Sequence, residues 1–328
     1  MATMSVREAL RLALDEELER DERVYLLGEE VGLFDGSYRV TAGLMEKYGE
    51  QRVRDTPISE EGFVGAAIGS AMAGGRPVVE IMTVNFSLLA FDQIVNNAAK
   101  IQYMFGGEAG CPVVIRTPGG GGSQLTAQHS QSFDAWFAHV PGLKVLAPSN
   151  PADARGLLKA AIRDDDPVVF LESFPLYNAK GEVPVGADLL EPIGRAKVVR
   201  EGTDITIVAH SYAVVRALQA AQQLESEHDV SAEVIDLRSL RPLDFDTVAE
   251  SVAKTHRALC VEEGWASFGV TAELAARLVA ACFDALDAPV LRVGASEVPL
   301  PYAKNLEQAA LPSDAKIAEA AAAILQRA

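Results

Sequence analysis

Glu60 lies in the run Asp55-Thr56-Pro57-Ile58-Ser59-Glu60-Glu61-Gly62-Phe63, where an extended segment gives way to a helix packed with small residues. A carboxyl buried there among apolar neighbours is tuned for acid or base work. Burial disfavours the charged form and raises the pKa, by up to roughly 3–5 units when complete. Pro57 stops the short strand expected over Arg52–Arg54, and Ser59 is the expected N-cap of a helix over 60–73. Along that helix Gly62, Gly65, Gly69 and Ala73 leave one face without bulk. Each glycine costs roughly 1 kcal/mol of helix propensity relative to alanine, so the stripe predicts close approach of another segment. The competing reading makes Glu60 and Glu61 ordinary first-turn acids favoured by the helix macrodipole.

Two other stretches could carry chemistry. The run Gly119-Gly120-Gly121-Gly122 follows an expected strand and reads as a mobile loop or an anion cradle. No helix start bearing hydroxyls or lysine follows it, which favours the loop. Past it, Thr126-Ala127-Gln128-His129-Ser130-Gln131 sets His129 among amides and hydroxyls. Such a histidine can be held in one tautomer and used as an acid or base, or can simply be a solvated loop residue. Further on, Asp164-Asp165-Asp166 falls where a helix should end, beside orphan carbonyls at the negative end of the macrodipole. A hard cation would take such oxygens; a solvated acidic turn offset by Arg163 is the alternative. The chain has no zinc-type spacing, no G-x-x-x-x-G-K-[ST] and no G-x-G-x-x-G opening a helix after a strand.

The elements that must position these residues alternate. Strands are expected at Arg23–Leu27, Arg52–Arg54, Pro77–Met82, Pro112–Arg116, Leu143–Ala147 and Pro167–Leu171. Helices are expected near 5–20, 41–48, 60–73, 85–104 and 151–163. Phe86 would then sit at the carboxyl end of the strand Pro77–Met82, where open α/β sheets place ligands. Prolines and glycines punctuate 179–203, read as a linker. A second alternation follows from Asp204, closing on an alanine-rich helix near 313–326. The expected fold is α/β with two domains, 1–178 and 204–328, each a mostly parallel sheet flanked by helices.

Composition narrows the function. The 328 residues carry a net charge of −17 and no basic run with interleaved aromatics, which argues against nucleic acid and anionic membrane partners. No stretch of 18 apolar residues exists, and the start Met1-Ala2-Thr3-Met4-Ser5-Val6-Arg7-Glu8 has no apolar core of a secretory signal. Cys111, Cys260 and Cys282 lie in apolar stretches and form no C-x-x-C pair, reading as buried small hydrophobes. A cytoplasmic location is expected.

Taken together these residues resemble a known family. The motifs are Leu27-Gly28-Glu29-Glu30-Val31, Asp55-Thr56-Pro57-Ile58-Ser59-Glu60, Glu80-Ile81-Met82-Thr83, Phe91-Asp92-Gln93-Ile94, Ala127-Gln128-His129-Ser130-Gln131, Pro141-Gly142-Leu143-Lys144-Val145, Arg238-Ser239-Leu240-Arg241-Pro242-Leu243-Asp244 and Pro301-Tyr302-Ala303-Lys304. They resemble the beta subunits of the thiamine-diphosphate-dependent 2-oxo acid dehydrogenases, most closely the pyruvate dehydrogenase decarboxylating component, over essentially the whole chain. The resemblance implies a pyrimidine-binding domain followed by a transketolase-type C-terminal domain. By the same resemblance Glu60 matches the glutamate that hydrogen-bonds the N1′ atom of the cofactor's aminopyrimidine. Phe86 matches the ring that packs on that pyrimidine, and Glu29 and Ile58 line its pocket. His129 matches a histidine near the channel of the lipoyl arm. Val113, Ala161, Ile162, Asp164 and Asp166 match a structural potassium site.

The family anchors magnesium diphosphate with a Gly-Asp-Gly motif on the alpha subunit, and this chain has none. The implied assembly is two alpha and two beta chains with cofactors at their interfaces, the C-terminal domain docking the lipoyl acyltransferase core. The implied reaction is oxidative decarboxylation of pyruvate with acetyl transfer to the lipoyl arm. Leu89 and the Gly119–Gly122 run differ from the commonest pyruvate-type sequences, leaving acetoin and branched-chain 2-oxo acids as alternatives. A non-catalytic nucleotide-binding α/β module is the reading from another class.

Overall fold

Two compact units divide the chain in a computed structural model that describes residues 1–186 and 188–326. The first unit combines Met1–Gly119 with Trp136–Ile193; the second combines Gly120–Ala135 with the chain from Gly194 onward. Position 187 of the expected linker and positions 327–328 of the expected C-terminal domain lie outside the described residues.

The first unit is built on parallel strands. These are β2 (Val24–Gly28), β3 (Val53–Asp55), β4 (Arg76–Glu80), β5 (Val114–Gly119), β6 (Lys144–Leu146) and β7 (Val168–Ser173), hydrogen-bonded in the order β6-β7-β5-β4-β2-β3. Valine, isoleucine and leucine dominate them because helices cover both faces. The register brings Gly28 beside Glu80, Glu80 beside Arg116, and Pro118 beside Glu172, so several chemistry-bearing residues share the carboxyl edge. Glycine is required at 28, where an added Cβ would stand 2.5 Å from the Glu80 carbonyl oxygen. At the turn before β6, Gly142 has φ of +97° and a Cβ there would meet the Ala99 carbonyl at 1.9 Å.

The second unit repeats the plan on a smaller sheet. Strands β9 (Lys197–Arg200), β10 (Ile205–Ala209), β11 (Ala232–Asp236), β13 (Ala258–Trp265) and β14 (Leu291–Ala295) pair in the order β14-β13-β10-β11-β9, all parallel except β9. A short strand, β12 (Ser239–Arg241), follows β11. Ile207, Val234, Leu259 and Val261 pack with Ala217, Leu224, Ile317 and Ala321 of two helices to form its core.

Within the segment 179–203, read as a linker, β8 (Lys180–Val183) pairs antiparallel with β1 (Ala2–Ser5), and β9 edges the second sheet. Two expectations require correction. The expected helix 85–104 breaks into a 3₁₀ turn Val84–Leu88, a π-helical turn Gln93–Ala98 and a short helix Ile101–Met104. Asn97 bonds Gln93 at 2.9 Å and Asn96 bonds Asp92 at 2.6 Å, pairs four residues apart that support the turns they span. The expected helix 41–48 begins only at Leu44, because Gly43 is left-handed.

Candidate active site

Glu29 follows β2 and Glu60 opens the helix Glu60–Met72; both are buried at the carboxyl edge of the first sheet. The loop after β2 is fixed locally. Asp55, ending β3, accepts the Gly32 amide at 2.6 Å and the Leu33 amide at 2.9 Å, and the Thr41 hydroxyl donates to the Val31 carbonyl at 2.7 Å. Ser59 precedes the helix as expected, but its hydroxyl makes no capping bond. Gly65 accounts for part of the small-residue stripe, its Cβ position lying 3.2 Å from Gln93 Oε1; Gly69 faces open space.

The two carboxyls interact. Burial, then the charge of Glu60, then a hydrogen bond to Glu60 push the Glu29 carboxyl up to about 7. Its Oε1 is buried with no hydrogen-bond partner among the described residues. An orphaned buried oxygen of this kind calls for a partner from outside the chain. The arrangement can hold one proton between two acids near neutral pH, as a general acid–base pair requires.

Beside this pair lies a buried charge cluster that the residue pattern did not flag. Arg116 of β5 donates to Glu80 of β4 at 2.8 Å and to both oxygens of Glu172 of β7 at 2.7 and 3.0 Å. Tyr177 donates its hydroxyl to Glu172 at 2.7 Å, and Tyr38 stacks on Tyr177 with ring centroids 5.6 Å apart. Burial raises the Glu172 carboxyl against the opposing pull of Arg116, and burial with the Glu80 charge pushes Tyr38 up to about 12. The available signal was an arginine and two glutamates inside otherwise apolar strands, residues that are almost never buried unless paired.

Other expected site residues are distributed as follows. Phe86 sits half-buried in the 3₁₀ turn Val84–Leu88 after β4, at the same sheet edge. Ile58 is 83% exposed and closes no pocket within this chain. His129 is half-buried on a 3₁₀ turn in the segment that clusters with the second unit, so the carboxyl pair and His129 belong to different units.

The acidic turn already has its cations. Lys144 reaches Asp164 at 2.7 Å and Asp166 at 3.0 Å, while Arg76 donates to the carbonyls of Ile162 at 2.9 Å and Asp164 at 3.0 Å and pairs with Asp165. The carbonyls of Val113 and Ala161 accept the amides of Val168 and Asp164. The electrostatic need for a bound ion is therefore met by side chains. Each of these carbonyls keeps a second lone pair, so the donor set fits a potassium ion through its oxygens.

Comparisons with known proteins agree with this architecture. Residues 2–180 match the family described as transketolase, pyrimidine binding domain, and residues 194–317 match transketolase, C-terminal domain. The chain is 50% identical over 324 residues to the pyruvate dehydrogenase E1 component subunit beta of Rhizobium meliloti, covering 99% of this chain and 70% of that protein. It is 54% identical over 326 residues to the mitochondrial counterpart of Drosophila melanogaster, covering 98% and 89%. A solved structure described as a split gene transketolase, inactive beta4 tetramer, superposes with a TM-score of 0.79 at 25% identity, covering 98% of each chain.

Proposed function

The chain belongs to the family of pyruvate dehydrogenase E1 component beta subunits, transketolase-like in both domains, and from that premise we propose how its residues serve the reaction. It works with an alpha subunit, in two alpha plus two beta chains, and contributes the pyrimidine half of a thiamine diphosphate site. The alpha subunit holds the diphosphate through magnesium. The observation that carries this reading is the buried Glu29–Glu60 pair with its orphaned oxygen. A pyrimidine nitrogen bearing or lacking a proton is a chemically matched partner for that site.

When bound, the cofactor supplies the carbon nucleophile and electron sink that decarboxylation of a 2-oxo acid requires. Glu60 would hydrogen-bond N1′ of the pyrimidine and share a proton with it, and Glu29 would line the same pocket. Phe86 would pack on the pyrimidine. Ile58, exposed in this chain, would line the pocket too. His129 serves acetyl transfer to the lipoyl arm, and the second unit docks the acyltransferase core. Val113, Ala161, Ile162, Asp164 and Asp166 hold potassium through their oxygens. Three buried free cysteines support a reducing, cytoplasmic setting.

The deciding experiment is dye-linked oxidation by the chain co-assembled with its alpha subunit, thiamine diphosphate and magnesium, against pyruvate, branched 2-oxo acids and acetoin. Activity confined to pyruvate is expected. Preference for another substrate would move the assignment within the family, and an inert assembled complex would overturn it.

A further inference from the structure

The glycine run Gly119–Gly122 opens a compact loop that returns on itself. The Gly120 amide donates to the Gln131 carbonyl at 2.9 Å, closing the neck of a segment that carries His129. Gly120 and Gly122 have φ of +82° and +94°, and Gln124 and Thr126 also adopt positive φ, at 56° and 62°. Non-glycine residues in that region persist where surrounding contacts determine them.

Those contacts come from Glu307, in the helix Lys304–Ala310 of the same unit. Its carboxylate is 1% exposed. It accepts the Gly122 amide at 3.0 Å and the Gln124 amide at 3.1 and 3.2 Å. Gly121 lies against Leu300 and Leu311, where a Cβ would meet methyl carbons at 2.7 and 2.9 Å. The loop's amides do form an anion cradle, and the anion is the protein's own. Two amide bonds to a carboxylate are charge-assisted and roughly twice as strong as neutral ones, so they can hold backbone angles that the chain would otherwise leave.

We propose that Glu307 is a positioning residue for His129: it fixes the 120–131 loop so that the histidine is presented for acetyl transfer to the lipoyl arm. This rests on the role given to His129 above. Glu307 touches no substrate, and acts only through the loop backbone.

The test uses the assembled alpha–beta complex with a lipoyl domain. Dye-linked pyruvate oxidation and reductive acetylation of the lipoyl group are measured on the same preparations of wild type, Glu307→Gln, Glu307→Ala and His129→Gln. Hydrogen exchange is followed over residues 120–131. Glu307→Ala is expected to speed exchange in the loop and to lower the ratio of acetylation to dye-linked oxidation at least tenfold. Glu307→Gln, which keeps one acceptor oxygen but not the charge, is expected to show the same two changes to a smaller, measurable extent, so the idea stays testable should the alanine variant fail to fold. An unchanged ratio in both Glu307 variants, or unchanged loop exchange, would overturn it. An unchanged ratio in His129→Gln, with loop exchange still accelerated in Glu307→Ala, overturns the role of His129 and with it this use of Glu307.

Discussion

Glu29 and Glu60 come to the same sheet edge from opposite kinds of element, one at the end of a strand and the other in the first turn of a helix; both are buried, and after burial the charge of Glu60 raises the Glu29 carboxyl. The shift of the Glu29 carboxyl is upward, to about 7. The pH dependence of the fold follows from its direction. The folded-state value of about 7 lies above the ordinary carboxyl value of 4.5, so the folded chain binds more protons than the unfolded one between those limits. Stability from this group is fully present below about 4.5 and is lost as pH rises through about 7. At 1.36 kcal/mol per unit, the rise of about 2.5 units makes the loss at most about 3.4 kcal/mol. Glu29→Gln should therefore melt progressively higher than wild type as pH is raised from 5 to 8, in cofactor-free protein. A melting difference independent of pH would contradict the shared proton.

Glu60→Gln keeps the shape of the side chain and removes its capacity to share a proton. Assembly with the alpha subunit should be unchanged while turnover of pyruvate falls by about 10²–10⁴-fold, the range for general acid–base groups. Size-exclusion chromatography and dye-linked rates on the same sample check both halves. Wild-type rates in a correctly assembled variant would remove Glu60 from the chemistry.

Arg116 pairs with two buried carboxylates, Glu80 and Glu172, and among the described residues no other cation pairs with them. Arg116→Met leaves those charges uncompensated, and breaking a buried ion pair in this way costs roughly 3–5 kcal/mol. Without the guanidinium, burial acts on the Glu172 carboxyl with less opposition. The destabilisation should accordingly be smaller near pH 5 and larger near pH 8, read by urea denaturation at both. Equal losses at the two pH values would show that packing, rather than charge, is what the arginine supplies.

The alternation of apolar strands and helices made both domains legible, because parallel strands buried on two faces read as continuous Val/Ile/Leu runs. The burial of Glu60 at a helix start was legible from its position after Pro57 and Ser59. What escaped notice depends on contacts distant in sequence. Arg116 meets its partners 36 and 56 residues away, and Glu307 meets Gly122 across 185. No local period encodes such pairs. The helix expected over 85–104 persists only in pieces, and the approach of Gln93 to Gly65 there is another pair that no local period encodes.

Lys144 separates two explanations of the acidic turn at 164–166. If its ammonium, with Arg76, is the whole counter-charge, any salt will act on the turn only by screening, and sodium and potassium will shift the melting temperature alike. If the carbonyls of Val113, Ala161 and Ile162 also take an ion, size selects potassium over sodium at equal ionic strength. We expect potassium to raise the melting temperature of the assembled protein more than sodium does. Asp164→Ala removes a carboxylate that Lys144 now clasps at 2.7 Å, and should cost roughly 0.5–3 kcal/mol. It should also abolish the difference between the two cations, since the turn that carries the carbonyls is pinned through Asp164: its Oδ1 accepts the Asp166 amide at 2.9 Å. Identical responses to sodium and potassium in wild type would leave Lys144 and Arg76 as the turn's only cations and dismiss the potassium site.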